Sequence, residues 1–423
     1  MSDQLHQADH GSGLARSRSS SRTERQPISG HSARVDAGSS PDRGCAVPRT
    51  LELDGLRGLA CLTILVYHFR PVLVPYGWAS VDFFFVLSGY LITAILIRHA
   101  DSPRLLRNFY VRRGLRIWPV YYVTILALAI LGPWLPRRTA WDGLGYYLAY
   151  AQNVPLYWSS RVPPFSPYVA HLWTLANEEQ FYIVWPVLVV VLGRRAVIPL
   201  GLGLMALSVW ARGHGFSPLL LLARADGFAL GGILAAILAS SERIARHAAA
   251  IRRGFASLAL VALAVVIIAM VRGMLPTFGR PPTGAAFSVL AINLVFAGLV
   301  GLVVTHAGRP AVAWLRRPRL VHIGTLSYGL YVYHYIILVL SDDMLVAFRG
   351  YGRTSLFNVP VILLIYAMAV VSWAWFEKPL LDLKRRFPYR ESNAHETDSK
   401  TLIHARKPIY GLARPLCPES GRD

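Results

Sequence analysis

The stretch LDGLRGLACLTILVYHFRPVLV, Leu53–Val74, has the length and apolar content of a membrane-crossing helix, yet Arg57 and His68 lie inside it. An ionisable side chain in hydrocarbon is costly enough that its presence there signals function. The two residues are eleven positions apart. At roughly 100° per residue, eleven steps return the chain to within about 20° of its start, so both share one face, about 16 Å apart along the axis. An arginine fork suits a phosphate, and an imidazole further along suits proton transfer to or from a hydroxyl. Singly, each has an ordinary reading: an arginine snorkelling to the interface and a packed histidine. As a same-face pair they point to a site.

The rest of the chain agrees with a membrane setting. Of 423 residues, 54% are hydrophobic and 16% charged, against about 25% charge in soluble chains. Repeated apolar runs make this an all-α, polytopic integral membrane protein. Three cysteines (Cys45, Cys61, Cys417) are too few and too scattered for a disulfide framework or a zinc site. No metal is expected. The net charge of +21 is not a nucleic-acid signature, because the arginines cluster in short loops between apolar spans and no basic, aromatic-interleaved soluble module is present.

Ten spans are predicted, at 55–75, 79–97, 116–133, 172–192, 196–211, 217–239, 254–271, 284–306, 320–340 and 355–376. The aromatic, polar-interrupted segment 141–158 reads as interfacial or re-entrant. With the N-terminus inside, the inner loops hold sixteen arginines against nine outside, and Lys378, Lys384, Arg385 and Arg386 follow the last span. This bias supports ten helices with both termini cytoplasmic. Residues 1–48 are Ser-, Arg- and Gly-rich, too poor in large apolar side chains to fold, and are expected to be a disordered basic tail. Residues 49–380 form the membrane domain, and 381–423 a second polar tail.

Further polar groups lie in or beside the spans. Asp82 opens SVDFFFVLSGYLIT as a helix cap, and Ser88-Gly89 allows close helix approach. Arg112 and Arg116 are i, i+4 neighbours in FYVRRGLRIWPVYY and, beside Arg57, make a basic mouth fit for a polyanion. In HLWTLANEEQFYIVWP, His171 and Glu178 are seven apart on nearly one helical face, an acid/base arrangement or a structural ion pair. Its adjacent carboxylates Glu178 and Glu179 must point to different sides, and the spacing is not that of a zinc motif. Arg224 and Asp226 are expected to neutralise each other, with Gly227 and Gly231 as a packing face. His334 follows Ser327 by seven residues on the same face, and Glu377 caps a neighbour or pairs with the basic loops. A glycine pattern at Gly201 sits inside an apolar span with no strand before it and is no nucleotide fingerprint.

These stretches together resemble the membrane-bound acyltransferase family 3, whose members O-acylate sugars. LDGLRGLACLTILVYHF carries the Arg-x10-His opening helix, followed in order by DFFFVLSGYLIT, RRGLRIWP, HLWTLANEEQFYIVWP and SYGLYVYHYII. The resemblance covers about residues 50 to 380. It implies a ten-helix core, a cytoplasmic acyl-CoA donor (acetyl-CoA by default) used as co-substrate with no bound cofactor, and a carbohydrate or lipid-linked glycan acceptor. It further implies a multi-pass place in the cell (inner or plasma) membrane. Carried over, Arg57 and His68 match the essential pair, Arg113 and Arg116 the arginine motif, and Glu178 the acidic position of WSLxxEEQFY. That motif here reads WTLANEEQFY, a mild departure at Ala176-Asn177.

The reading that follows places His68, Glu178 and Arg57 at the catalytic centre and Arg57, Arg113 and Arg116 on the pyrophosphate of acyl-CoA. His68 acts as general base or transient acyl carrier, and Glu178 orients it or handles the proton. Asp82, Ser88, His171, Arg224, Asp226, Ser327 and His334 are candidates for acceptor binding or support. The hydrolase-like domain that some relatives carry after the membrane part has no counterpart in residues 381–423, so transfer is expected to finish within the membrane domain or with a partner. The competing readings are a transporter or flippase, which internal repeats would favour, and a scaffold independent of CoA. The Arg-x10-His pattern occurs once, and no repeat is evident.

Overall fold

The structure, a computed structural model, describes residues 50–137, 141–155, 165–275, 285–349 and 358–389. The expected tail 1–48, the expected C-terminal tail beyond residue 389, and Arg138, Arg161, Arg280 and Arg353 of the charge comparison lie outside the described residues. All regular structure among those residues is helical. The main helices are α1 (Leu51–Phe69), α2 (Ser80–Arg98), α3 (Leu105–Leu131), the short α4 (Leu144–Leu148), α5 (Trp173–Leu192) and α6 (Val197–Gly213). They continue as α7 (Ala225–Ile237), α8 (Ser241–Val271), α9 (Ala285–His306), α10 (Pro318–Arg349), α11 (Asn358–Ser372) and, after a π-helical turn at Trp373–Glu377, α12 (Lys378–Asp382).

Eight of these helices are long and apolar enough to cross a membrane, and they coincide with eight of the ten predicted spans. The other two fall short for separate physical reasons. The 19-residue α1 is about 28 Å long, but Glu52, Asp54 and Arg57 in its first two turns interrupt the apolar run. The predicted span 217–239 is helical only from Ala225. A 3₁₀ turn at Leu221–Ala223 precedes it, and the remaining 13 residues extend about 20 Å. In the segment 141–158 the five-residue α4 is far too short to cross, and of the described residues after it only 153–155 are again helical.

Burial separates a centre from a rim. Of the apolar windows of α2 and α9, 61% is buried, against 17% for α8 and the stretch containing α11. Phe83, Val86 and Leu87 of α2 pack with Leu230 and Leu234 of α7 and Val300 and Val303 of α9. A stack of Phe85, Phe228, Phe181 and Trp185, with centroids 4.6, 4.4 and 5.4 Å apart, ties α2, α7 and α5 together. Without a hydrophobic drive between helices in lipid, association rests on close van der Waals approach through small residues. Gly89 and Gly231 meet that need: a Cβ on the first would overlap the Phe228 carbonyl, and one on the second the Val86 carbonyl.

Leu383–Tyr389, assigned from composition to the tail, is docked. Arg112 Nη1 donates to the Lys384 and Phe387 carbonyls at 3.0 Å each, and Asn108 Nδ2 donates to the Pro388 carbonyl at 2.6 Å. The Tyr389 ring stacks on His99 at 4.7 Å, with the Arg112 guanidinium 5.0 Å from its centroid.

Candidate active site

Two helices that run in the same direction build the frame. The start of α1 crosses the start of α10 so closely that a Cβ on Gly58 would overlap the Leu320 carbonyl, and one on Gly324 the Asp54 carbonyl. From that crossing the helices proceed side by side. Arg57 Nη2 donates to Ser327 Oγ at 3.1 Å; two to three turns later, the His68 and His334 rings meet with centroids 4.9 Å apart. The one-face arrangements read from the sequence for Arg57 with His68 and for Ser327 with His334 thus meet each other across one interface.

At the Arg57 end the helices gather charge. Arg57 lies 3.8 Å from Asp54 Oδ1, one turn earlier. Arg113 stacks its guanidinium 5.1 Å from the Tyr182 centroid, and Arg57, Arg113 and Arg116 all lie within the electrostatic reach of Glu178. Tyr182 donates its hydroxyl proton to Glu178 Oε2 at 2.6 Å and sits 3.0 Å from Ser88 Oγ. A phenol has one proton, so the second bond runs from the serine hydroxyl. Arg112 turns away to hold the C-terminal segment, so the pair facing Arg57 is Arg113 and Arg116, three apart, rather than Arg112 and Arg116.

Glu178 therefore belongs to the basic end. Its hydrogen bond goes to Tyr182, and it makes none to His68. Glu179 points the other way, accepting from Trp118 Nε1 at 3.2 Å. Glu377 accepts from Ser372 Oγ at 3.1 Å.

At the opposite end three imidazoles cluster. His334 Nδ1–H donates to the Tyr331 carbonyl at 2.6 Å, which leaves Nε2 as an acceptor. His68 Nδ1 lies 3.0 Å from the Ile64 carbonyl and 3.3 Å from His334 Nε2. Both are acceptors, so His68 carries its proton on Nδ1 and keeps a lone pair on Nε2. That nitrogen has no hydrogen-bond partner among the described residues. His171 Nε2 donates to the same Tyr331 carbonyl at 3.1 Å, and its ring centroid lies 5.1 Å from that of His334. The sequence placed His171 one helical face from Glu178. Instead it lies in a 3₁₀ segment, Pro167–Leu172, ahead of the α-helix that begins at Trp173, so the seven-residue α-helical spacing does not apply.

The remaining candidates form a separate buried network. Arg224 Nη1 reaches both oxygens of Asp82, at 2.7 and 2.8 Å, and Asp226 takes Arg212 Nη2 at 2.7 Å. The expected mutual neutralisation of Arg224 and Asp226 is thus replaced by two pairs between elements, because the 3₁₀ turn before α7 directs the two side chains to different neighbours. Asp82, with its carboxylate on Arg224, does not cap α2; no side-chain cap is present there. Trp78 and Trp173 flank the Arg224 guanidinium, 5.8 and 5.9 Å from it.

Sequence reasoning missed Tyr182, Tyr331 and Arg212. Tyr182 was findable, being one turn after Glu178. Arg212 lay in a predicted outer loop with nothing to separate it from topological charge.

Comparison with known proteins closes the case for the family. The model of an acyltransferase domain family matches residues 50–377. A peptidoglycan O-acetyltransferase of Listeria monocytogenes is 27% identical over 361 residues, covering 78% of this chain and 55% of the relative. A Bacillus subtilis protein provisionally named a peptidoglycan O-acetyltransferase is 28% identical over 372 residues, covering 78% and 54%. The chain spans about half the length of these relatives. No solved structure matches it. With the matched region taking in the Arg57–His68 helix, both arginines of the basic end, Glu178 and His334, the chain belongs to the membrane-bound acyltransferase family 3.

Proposed function

We propose that this chain is an integral membrane O-acyltransferase that moves an acyl group, acetyl in the simplest case, from acyl-CoA on the cytoplasmic side to a carbohydrate hydroxyl. The acceptor class is a surface polysaccharide or its lipid-linked precursor, as the peptidoglycan O-acetyltransferase name of the Listeria relative suggests. The accompanying topology has ten crossings and both termini cytoplasmic, with α1 and α7 completing the count. One observation carries the reading: a single face of α1 presents Arg57, gathered with Arg113 and Arg116 of α3, at one end and, about 16 Å on, an imidazole whose Nε2 lone pair is free.

Arg57, Arg113 and Arg116 hold the phosphates of the donor, as guanidinium forks do bidentately. The thioester lies along α1 towards His68. His68 Nε2 takes the acceptor O–H proton as the oxygen attacks the thioester carbonyl; the C–S bond breaks and the CoA sulfur leaves with its electron pair and is then protonated. If Nε2 attacks the carbonyl first, the same lone pair makes an acyl-imidazole that the acceptor hydroxyl opens. In either course the ring gains positive character, and its Nδ1–H is already held by the Ile64 carbonyl and His334 Nε2. His334 therefore takes the orienting part expected of Glu178, while Glu178 and Tyr182 tune the basic end.

The test is CoA thiol release from acetyl-CoA by membranes holding the wild type, His68→Ala or Arg57→Ala at equal expression, with labelled acyl product followed in lipid and polysaccharide fractions. Loss of a general base lowers the rate by about 10²–10⁴-fold. Both variants should therefore be inactive against a working wild type. Absence of CoA-dependent turnover by the wild type, with a native acceptor extract present, refutes the reading.

A further inference from the structure

The arginines of the basic end are not held as the other buried arginines of the bundle are. Elsewhere in the bundle buried arginines are paired closely, Arg224 with Asp82 and Arg212 with Asp226, each at 2.7 Å. Arg113 and Arg116 differ: among the described residues no carboxylate lies within ion-pair distance of either. Glu178, Glu179 and Glu377 lie within electrostatic reach, but their hydrogen bonds go to Tyr182, Trp118 and Ser372.

A fourth cation joins them from an unexpected direction. Lys384 lies beyond the last long helix, on the docked segment that Arg112 and Asn108 hold by its carbonyls. Its neighbours Leu383, Arg385 and Arg386 are exposed, whereas Lys384 is half-buried, and it lies within electrostatic reach of Arg116, Arg113 and Arg112. It too has no carboxylate within ion-pair distance among the described residues. A chain free to point a lysine at solvent has instead turned it towards three arginines. Desolvating like charges together is unfavourable unless an anion joins them, and solvent was available one residue away on either side.

We propose that Lys384 is a phosphate-binding residue, delivered by the Leu383–Tyr389 segment to complete a site with Arg57, Arg113 and Arg116 for a pyrophosphate- or phosphodiester-bearing polyanion. This rests on the acyl-CoA reading for the identity of the polyanion, CoA, but the charge argument itself requires only the phosphate chemistry. An anionic lipid headgroup offers the same chemistry. The segment acts as a strap: Arg112, itself turned off the site, fixes the strap by its backbone, and Lys384 reaches in from it.

The experiment uses the full chain in nanodiscs of phosphatidylcholine and measures CoA binding by calorimetry for the wild type, Lys384→Gln and Lys384→Arg. Parallel samples replace part of the lipid with phosphatidylglycerol. Thermal unfolding and gel filtration verify that each variant is folded. The expected result is CoA binding by the wild type, weakened about tenfold in Lys384→Gln, equivalent to ~1.4 kcal/mol, and restored towards wild type in Lys384→Arg. Equal CoA affinity in the wild type and a folded Lys384→Gln overturns the Lys384 assignment and leaves the donor reading standing. If the wild type binds no CoA but is stabilised by phosphatidylglycerol in a Lys384-dependent way, the site stands as a lipid-phosphate site and the donor reading falls. No response to either probe overturns both.

Discussion

Replacing Asp82 by alanine strands a buried cation. The Arg224 side chain is 7% exposed, and Asp82 supplies its charged partner through two bonds of 2.7 and 2.8 Å. What remains to Arg224 is the Pro218 carbonyl on Nε at 2.9 Å and two indole faces, none with a full negative charge. Breaking a buried pair by removing one partner costs about 3–5 kcal/mol; the retained carbonyl and rings place the expected loss near the lower bound, about 3 kcal/mol. Adding Arg224→Met removes the stranded charge, so the double variant should recover about 2 kcal/mol of that loss. Asp226→Ala with Arg212→Met should behave alike, since that pair is also buried, with side chains 0% and 4% exposed. By contrast, Asp226→Ala with Arg224→Met should show coupling under about 1 kcal/mol, because those residues belong to different pairs. The assay is reversible unfolding in mixed micelles, followed by helical circular dichroism and tryptophan fluorescence, for both double-mutant cycles and the crossed one. Coupling between Arg224 and Asp226 as large as that between Arg224 and Asp82 would refute the pairing and restore simple neutralisation along one helix.

Three further outcomes are expected. His334→Phe keeps the ring but removes the acceptor for His68 Nδ1–H; orienting partners of a working imidazole are worth roughly 10–100-fold. Thiol-release kinetics should show that fall in kcat with the donor KM unchanged, and an unaltered kcat would remove His334 from the mechanism. Gly89→Val should abolish recovery of folded protein by gel filtration, since its side chain meets the Phe228 backbone, while Gly203→Ala, with open space beyond it, should be neutral; equal recovery of the two would refute the close α2–α7 approach. Arg112→Ala should free the Leu383–Tyr389 strap, seen as faster protease cleavage between those residues in otherwise folded protein, and an unchanged cleavage rate would show the strap to be held by other means.

Much of the site was legible because helical periodicity is rigid over short distances. Arg57 with His68, and Ser327 with His334, each sit on one uninterrupted helix, so residue spacing alone gave their shared faces. The same arithmetic failed for His171 with Glu178, where His171 lies in the 3₁₀ segment that precedes the helix, and for Arg224 with Asp226, where the helix begins between the two residues. Partner choice was illegible wherever it joined distant helices. Nothing local distinguishes Arg212, which neutralises Asp226, from a loop arginine that sets topology. Arg112 and Arg113 are adjacent and chemically alike, yet one holds the strap and the other stacks on Tyr182. The family motifs did separate them, because motif position encodes tertiary placement that local spacing cannot.

The parallel run of α1 beside α10 has a consequence for biogenesis. Arg57 and His68 leave the ribosome well before their partners: Ser327 and His334 follow 270 and 266 residues later, and Lys384 later still. A nascent chain therefore has no orienting partner for its histidine until α10 has been inserted, and no complete basic end until the Leu383–Tyr389 segment follows. On the proposed function the chain is silent until these helices are in place, and activity begins only when α10 closes against α1. Two fragments divided between α8 and α9 and expressed together would each be inert on this reading, and the appearance of turnover would time their meeting in the bilayer.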